Sequence, residues 1–446
     1  MVRFRSLLAL ALIAPGCSQI AGIGDKFAAG EPNDAGDTVD AVDALEPCEC
    51  VGSTLSCPGG ETLCAATCLD QPDPHCALLI PSNAVDRALL AQVSTKITFG
   101  AATVIDTSTG AITGGITRAA GTGVESGIGY SQLGTLGVFV FDELEISAAV
   151  TVRVIGTRPA VLLVGKTVRV TGIIDASGNQ TARTQAGPGG GTGAQGATVA
   201  GGCAPGGAGK SAGTLSDSGG GGGGGAAAGG SGGQSGTAQV GAGGTACIPL
   251  TLEPLVGGSG GGIGAGGDAV AARGGGGGGA LQISSLEQII ITGTIDIGGA
   301  GGEAGQGDTN TADGTNAGAG GGGGGGGALL LEAPVVTVNA GAVLAANGGG
   351  GGGAGNDQTD GTSGQDGQRS ATVALGGQSA ISQASDGGDG GANTTAAKSA
   401  ANSSTASYNA GGGGGAVGRI FVRAHASPAL GGTISPPASV GTFRMD

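Results

Sequence analysis

Apolar and polar residues alternate in short runs that come back along the chain. In PAVLLVGKTVRVTGIIDASG (159–178), GGGGALQISSLEQIIITGTIDIGGAGG (276–302) and GALLLEAPVVTVNAGAVLAANGG (327–349), three brief apolar pieces follow one another between glycines. A worn fourth copy, GAVGRIFVRAHASPALGGTIS, starts at Gly415. Alternation at period two, carried by β-branched residues in runs too short for a helix, predicts strands. Laid over one another, the copies align Val161/Leu163 with Leu281/Ile283 and Leu329/Leu331, and Val168/Val170 with Ile289/Ile291 and Val336/Val338. Ile174/Ala176 then fall with Ile295/Ile297 and Val343/Ala345, and Gly172, Gly293 and Gly341 share one turn.

Three strands joined by turns make one coil, which cannot bury its own apolar row and must stack on the next. The expected class is therefore all-β: a parallel β-helix, or β-solenoid, interrupted by long glycine-rich insertions at 187–279, 298–327 and 348–415. Each insertion leaves after the third strand of a coil and returns before the first. The body begins near residue 97, where KITFGAATVIDTSTGAIT and GVFVFDELEISAAVTVRVIG place Phe139/Phe141, Leu144/Ile146 and Val150/Val152/Val154 in alternation. Ahead of it, 78–96 reads as a cap for the open end, a short helix or irregular chain with Val85, Ala88, Leu89 and Val93 on one face and Ser82 or Asn83 as its start.

Composition sharpens this picture. With 39% hydrophobic and 2% aromatic residues, the chain can fill a narrow core of Val, Ile, Leu and Ala. Glycine makes up 106 of the 446 residues, in contiguous tracts without the Gly-X-Y period of collagen. Such tracts either stay disordered, since glycine loses the most entropy on ordering, or lie side by side as extended polyproline-II segments.

The first residues, MVRFRSLLALALIAPGC, carry two arginines, a short apolar run and Gly16-Cys17. That is a secretory signal (1–17) ending in a bacterial lipobox-like sequence, which makes Cys17 the candidate site of lipidation. Ala14-Pro15 departs from the usual lipobox, and Ser18 in place of Asp points to the outer membrane. Aspartates 34, 37, 40 and 43 make 18–47 an acidic, solvated tether. Of nine cysteines, six (Cys48, Cys50, Cys57, Cys64, Cys68, Cys76) crowd into 48–77. This small segment has little core of its own, so disulfides are its expected support, with a zinc site through His75 as the rival. Cys203 and Cys247 lie in the longest insertion and are expected to bridge it.

Most motif matches dissolve in this much glycine. APGGAGKS (204–211) lacks the strand and helix that a phosphate-binding loop with Lys210 requires. GGSGG, twice present, lacks the strand-to-helix turn and histidine of a nucleophile elbow. His425 reads as a strand residue. Asp175 and Asp296 fall in corresponding turns with no basic residue beside them in sequence, as structural aspartates or as paired carboxylates for acid–base work. GGAGNDQTD (352–360) is similar to one calcium-binding nonapeptide of secreted β-roll proteins. It makes Asp357, Asp360 and nearby Asp366 candidate calcium ligands, with Asp386/Asp389 and Asp308/Asp313 as further oxygen donors. No other cofactor is expected. A net charge of −15 argues against nucleic acid and against anionic lipid surfaces.

Signal, acidic spacer, cysteine cluster and glycine-interrupted β-segments together resemble uncharacterised glycine-rich surface lipoproteins of the myxobacterial type, with a parallel β-helix body. The resemblance covers most of the chain but rests on layout, and it implies no activity and no functional residues. The expected role is that of a lipid-anchored cell-envelope protein in the outer membrane, on its periplasmic or extracellular face. It would be structural, adhesive or a surface contact for matrix partners, and not an enzyme. The alternative is a secreted β-helix enzyme acting on polysaccharide.

Overall fold

The chain divides into a unit of residues 1–46 and a unit of residues 47–446. In the computed structural model the described residues are 49–51, 54–56, 62–64 and 79–445, less 181, 213–215, 267–269, 308–316, 406–407 and 443. All belong to the second unit. Within the cysteine-rich segment, Glu49–Val51, Thr54–Ser56 and Thr62–Cys64 form a small antiparallel sheet.

The regular secondary structure of the main body is nearly all strand. Each of the three repeats supplies one strand to each of three sheets: Ala160–Val164, Val168–Val170 and Ile173–Asp175; Ala280–Ser285, Gln288–Ile291 and Thr294–Asp296; Ala328–Ala333, Val335–Val338 and Val343–Ala345. The fourth copy adds Arg419–Ala424, Ala429–Leu430 and Thr433–Ser435. The sheets have eight, six and seven strands.

The parallel β-helix, or β-solenoid, expected from the sequence is not what forms. The strands stay in three separate sheets rather than one closed solenoid, and only the six-stranded sheet is parallel throughout. Antiparallel hairpins open the other two, through Gly123–Glu125, Ile128–Leu133 and Leu136–Phe141 in the eight-stranded sheet and Thr103–Asp106 with Ile112–Gly114 in the seven-stranded one. The physical reason lies in the glycine segments. They are not loops hung on a solenoid but a packed mass with its own backbone bonds, and the strands share the burial with it.

Two apolar clusters flank the eight-stranded sheet. One lies among the three sheets, where Leu162, Val168 and Ile174 meet Ile283, Ile289 and Ile295, then Leu331, Val336 and Leu344. The other lies on the opposite face, where Val138, Val161, Leu163 and Leu330 are covered by Val85, Val93, Ile248 and Leu252. A strand buried on both faces has no polar side to set its register. The pairing accordingly differs by one residue from the sequence alignment: Ala160 pairs with Leu281 and Leu162 with Ile283, which sends Val161 and Leu163 to the outer face. A longer turn at Asn339–Ala342 shifts the last strand as well, so Leu344, not Val343, lies beside Ile295.

The segment expected to cap the open end covers this outer face instead. Arg87–Gln92 is a 3-10 helix whose N-cap is Asp86, with the Ala88 amide donating to its carboxylate at 2.8 Å. Ser82 and Asn83 are engaged elsewhere. The Ser82 amide donates to Glu332, and Asn83 donates to Gln282 at 2.9 Å and to the Leu252 carbonyl at 3.0 Å. At the N-terminal end the core is aromatic, with Phe99 edge-on to Phe141 and Tyr130 tilted against Phe139. Buried Arg118 closes that end by donating to the carbonyls of Gly110, Ala119, Gly121, Gly123 and Ile128.

The glycine tracts are ordered and interlocked. Along 219–225 the amides of Gly219, Gly222 and Gly225 donate to Gly233, Gly230 and Ala227; those of Gly220 and Gly223 to Gly320 and Gly323; those of Gly221 and Gly224 to Gly207 and Ala204. Every third residue bonds the same neighbour, so one segment is held from three sides, the symmetry of a polyproline-II helix with three residues per turn. The segments 320–326 and 410–416 repeat the scheme, with Gly320, Gly323 and Gly326 donating to Ala410, Gly413 and Ala416. Residues at the centre admit no side chain: a Cβ on Gly222 would stand 2.0 Å from the Gly414 oxygen, and one on Gly322 2.0 Å from the Gly221 oxygen.

Gly322→Ala should therefore destabilise the fold by about 1–3 kcal/mol or more, as overpacking of a tight interior does. Gly100→Ala, where a Cβ meets nothing within 4 Å, should stay within about 0.5 kcal/mol. Thermal unfolding of the two variants beside the parent checks the contrast; equal midpoints would contradict the close packing.

Candidate functional site

Where the middle strands of the seven-stranded sheet end, the register builds a column of charge. Arg153 pairs with Asp175, Asp175 with Asp296, and Asp296 with Ala345. Neighbouring strands lie about 4.8 Å apart, so two carboxylates stand side by side. Both aspartates end their strands, where the chain turns into the glycine lattice, and both are buried. Arg369, from the third glycine-rich segment, reaches over them, its Nε 2.6 Å from Asp296 and its Nη2 3.0 Å from Asp175. Asp175 also accepts from the hydroxyl of Ser177 at 2.6 Å, and Asp296 from the Gly298 amide at 2.9 Å.

Burial pushes the Asp296 carboxyl above the usual carboxylate range, against the pull of the Arg369 hydrogen bond. Arg369 is held above its own usual value: burial works against its charge, but the bond to Asp296 and the two carboxylates outweigh it. A basic partner for Asp175 and Asp296, absent from their sequence neighbourhood, thus arrives from some 70 residues beyond Asp296, and no local pattern signals it.

Around this trio lies a cavity of about 400 Å³, its wall completed by Arg153, Asn179, Gln180, Asp366 and Gln368. Asp366 accepts from Asn179 at 2.9 Å and from the Gly301 amide at 2.8 Å. A wider groove of about 620 Å³ runs along the outer glycine-rich layer between Gln378–Asp386 and Ala401–Ser404. On that layer every third residue turns inward: Ala400 is buried and Ala397 and Ser403 half-buried, while Lys398, Ser399, Ala401, Asn402 and Ser404 are exposed.

A second polar cluster is enclosed between the eight-stranded sheet and its covering segments. Glu332 accepts from both the amide and hydroxyl of Ser82, from Ser284 at 2.9 Å and from Gln282 at 3.1 Å. Arg423 pairs with Glu253 at 2.8 Å and more loosely with Glu332 at 3.4 Å. Burial pushes the Glu332 carboxyl up, opposed by the Ser82 bonds. This cluster fastens the covering segments to the sheet.

The remaining sequence candidates fall as follows. Cys203 and Cys247 form the expected disulfide. Cys50 and Cys64 lie in strands of the small sheet, while Cys17, Cys48, Cys57, Cys68 and Cys76 are outside the described residues, as are Asp308 and Asp313. Asp357, Asp360 and Asp366 are not brought together: Asp360 accepts from the Gly307 amide at 2.7 Å, whereas Asp366 faces Gly301 and Asn179. Among the described residues no group of three or more His, Cys, Asp or Glu is placed to hold a metal ion. Asp386 accepts from Ser379, and Asp389 pairs with Lys398 at 2.7 Å. Lys210 sits in the glycine lattice with its amide on Gln239, and His425 lies half-buried just past a strand end. Among the described residues no helix is long and apolar enough to cross a membrane.

No family model, no curated protein and no solved structure matches the chain.

Removing the guanidinium in Arg369→Ala should cost about 2 kcal/mol at neutral pH, below the usual roughly 3–5 kcal/mol for a broken buried pair because that side chain keeps 43% of its surface exposed. The sign with pH follows from Asp296. Left unpaired, its folded-state pKa rises further above the unfolded value, so the loss is small at low pH and grows as pH climbs through the carboxylate range. Chemical denaturation of parent and variant from pH 4 to 8 reads this out; a pH-independent difference would refute it. Replacing both Cys203 and Cys247 by Ser opens a loop with a sequence separation of 44, which should cost up to about 4 kcal/mol and be visible as a melting temperature below the parent's under non-reducing conditions.

Proposed function

We propose that the protein is a non-catalytic component of the cell envelope, anchored in the outer membrane through lipid on Cys17 and serving structure, adhesion or surface contact. The observation that carries this reading is the glycine lattice. A mass of backbone bonded from three directions forms a stiff body whose outer layer offers polar side chains, as at Lys398, Ser399, Asn402 and Ser404. Stiffness and a broad hydrophilic face suit a part that is presented to other molecules.

The N-terminal sequence supports the address. An apolar run ending in Gly16-Cys17, followed by an acidic stretch too charged to collapse, suits a tether between lipid and body. Nine cysteines, two of them joined at Cys203–Cys247, fit an oxidising compartment. Asp175 and Asp296, open to an acid–base reading from the sequence, are bridged by Arg369, an arrangement that suits holding and binding better than proton transfer.

The test is mass spectrometry of the mature N-terminus from the membrane fraction of the native host. A diacylglyceryl-modified Cys17, with Cys17→Ala accumulating as uncleaved precursor, is the expected result. A mature chain free in the medium with an unmodified N-terminus would sink the anchor.

A further inference from the structure

The cavity beside Asp175 and Asp296 has a character that the envelope reading does not require. Its volume of about 400 Å³ falls within the range of roughly 300–1,000 Å³ typical of small-molecule sites. Its charges are mixed and close to balance: Asp175, Asp296 and Asp366 against Arg153 and Arg369. An anion entering it meets three carboxylates, and a cation meets two guanidinium groups. Neither is the natural guest.

The groups that line the cavity also keep bonding capacity. Arg369 uses Nε and one Nη2 proton on the aspartates, and a guanidinium has five donors in all. Arg153 is exposed and, among the described residues, makes a single long contact, 3.5 Å, with the Gln180 carbonyl. Asp175 Oδ2 and both carboxylate oxygens of Asp366 each take one bond and can accept another, whereas Asp175 Oδ1 already takes two from Ser177. The Gln180 side-chain amide donates to the carbonyls of Val154, Asp175 and Ser177, which fixes its orientation, while its buried Oε1 has no partner among the described residues. Donors and acceptors therefore share one small space.

A vicinal pair of hydroxyls is the chemistry that matches, because each hydroxyl both donates to a carboxylate and accepts from a guanidinium. We propose that this cavity binds a neutral polyhydroxylated molecule, a single sugar residue of a glycan. Arg153 and Arg369 donate to its oxygens, and Asp175 and Asp366 accept from its hydroxyls. Among the described residues no aromatic ring lines the cavity, so recognition rests on hydrogen bonds and the affinity is weak. The site stands whether or not the chain is lipid-anchored.

The experiment is saturation-transfer NMR on the purified chain with methyl glucoside, methyl galactoside, methyl mannoside and N-acetylglucosamine, with inorganic phosphate and calcium as competitors. Transfer to at least one sugar is expected, unaffected by either ion. It should weaken roughly tenfold or more in Arg153→Ala, the loss typical of a charge-assisted hydrogen bond, with the melting temperature unchanged. Gln368→Ala, also in the cavity wall, provides a second variant should Arg153→Ala unfold. Absence of transfer to all four sugars, transfer that survives both substitutions at full strength, or displacement by phosphate or calcium would each overturn the assignment.

Discussion

Backbone held against backbone, without side chains between, is the constraint on which the rest of this structure depends. In most proteins a buried amide finds its partner in a helix or a sheet ladder. Here the amides of the glycine segments find theirs in neighbouring extended segments, in three directions in turn, as at Gly221 on Gly207 and Gly223 on Gly323. The hydrogen that replaces a side chain at Gly222 or Gly322 points at a carbonyl oxygen. That is the geometry of a weak Cα–H···O contact, and many such contacts help offset the entropy glycine gives up on ordering.

The strands and the lattice are parts of one construction. Gly276–Gly279, Gly324–Gly327 and the segment Gly415-Ala416-Val417-Gly418 run straight into the strands Ala280–Ser285, Ala328–Ala333 and Arg419–Ala424. The lattice therefore inherits its spacing from the sheet beside it, and the sheet is flanked by lattice rather than by solvent. The charged column beside this junction, closed by Arg369, ties the third glycine segment to the strand ends of the first two repeats.

Much of the strand pattern was legible because alternation marks a half-buried strand. Val168/Val170, Ile289/Ile291 and Val336/Val338 align in the structure as they do in the sequence. Alternation failed where both faces are apolar, at Ala160–Val164, and where a turn gained length, at Asn339–Ala342. The architecture was not legible, because a repeat of three strands suggests a closed coil and carries no mark of the antiparallel hairpins that open two of the sheets or of the glycine tracts that share the interior. Of the site, the matching aspartates at 175 and 296 could be seen. Arg369 could not, since its role depends on how a segment without periodic side chains threads through the lattice. Arg118 was equally hidden: one cation gathering five carbonyls leaves no signature in composition or spacing.

The scarcity of side chains in the lattice carries over into heat. Unfolding a conventional domain exposes hydrocarbon to water, which raises the heat capacity, whereas exposing peptide groups lowers it. In this chain a large share of what becomes wet on unfolding is peptide. The heat-capacity increment per residue is correspondingly small, and the curve of stability against temperature is broad and shallow, so the body keeps its shape in the cold about as well as in the warm.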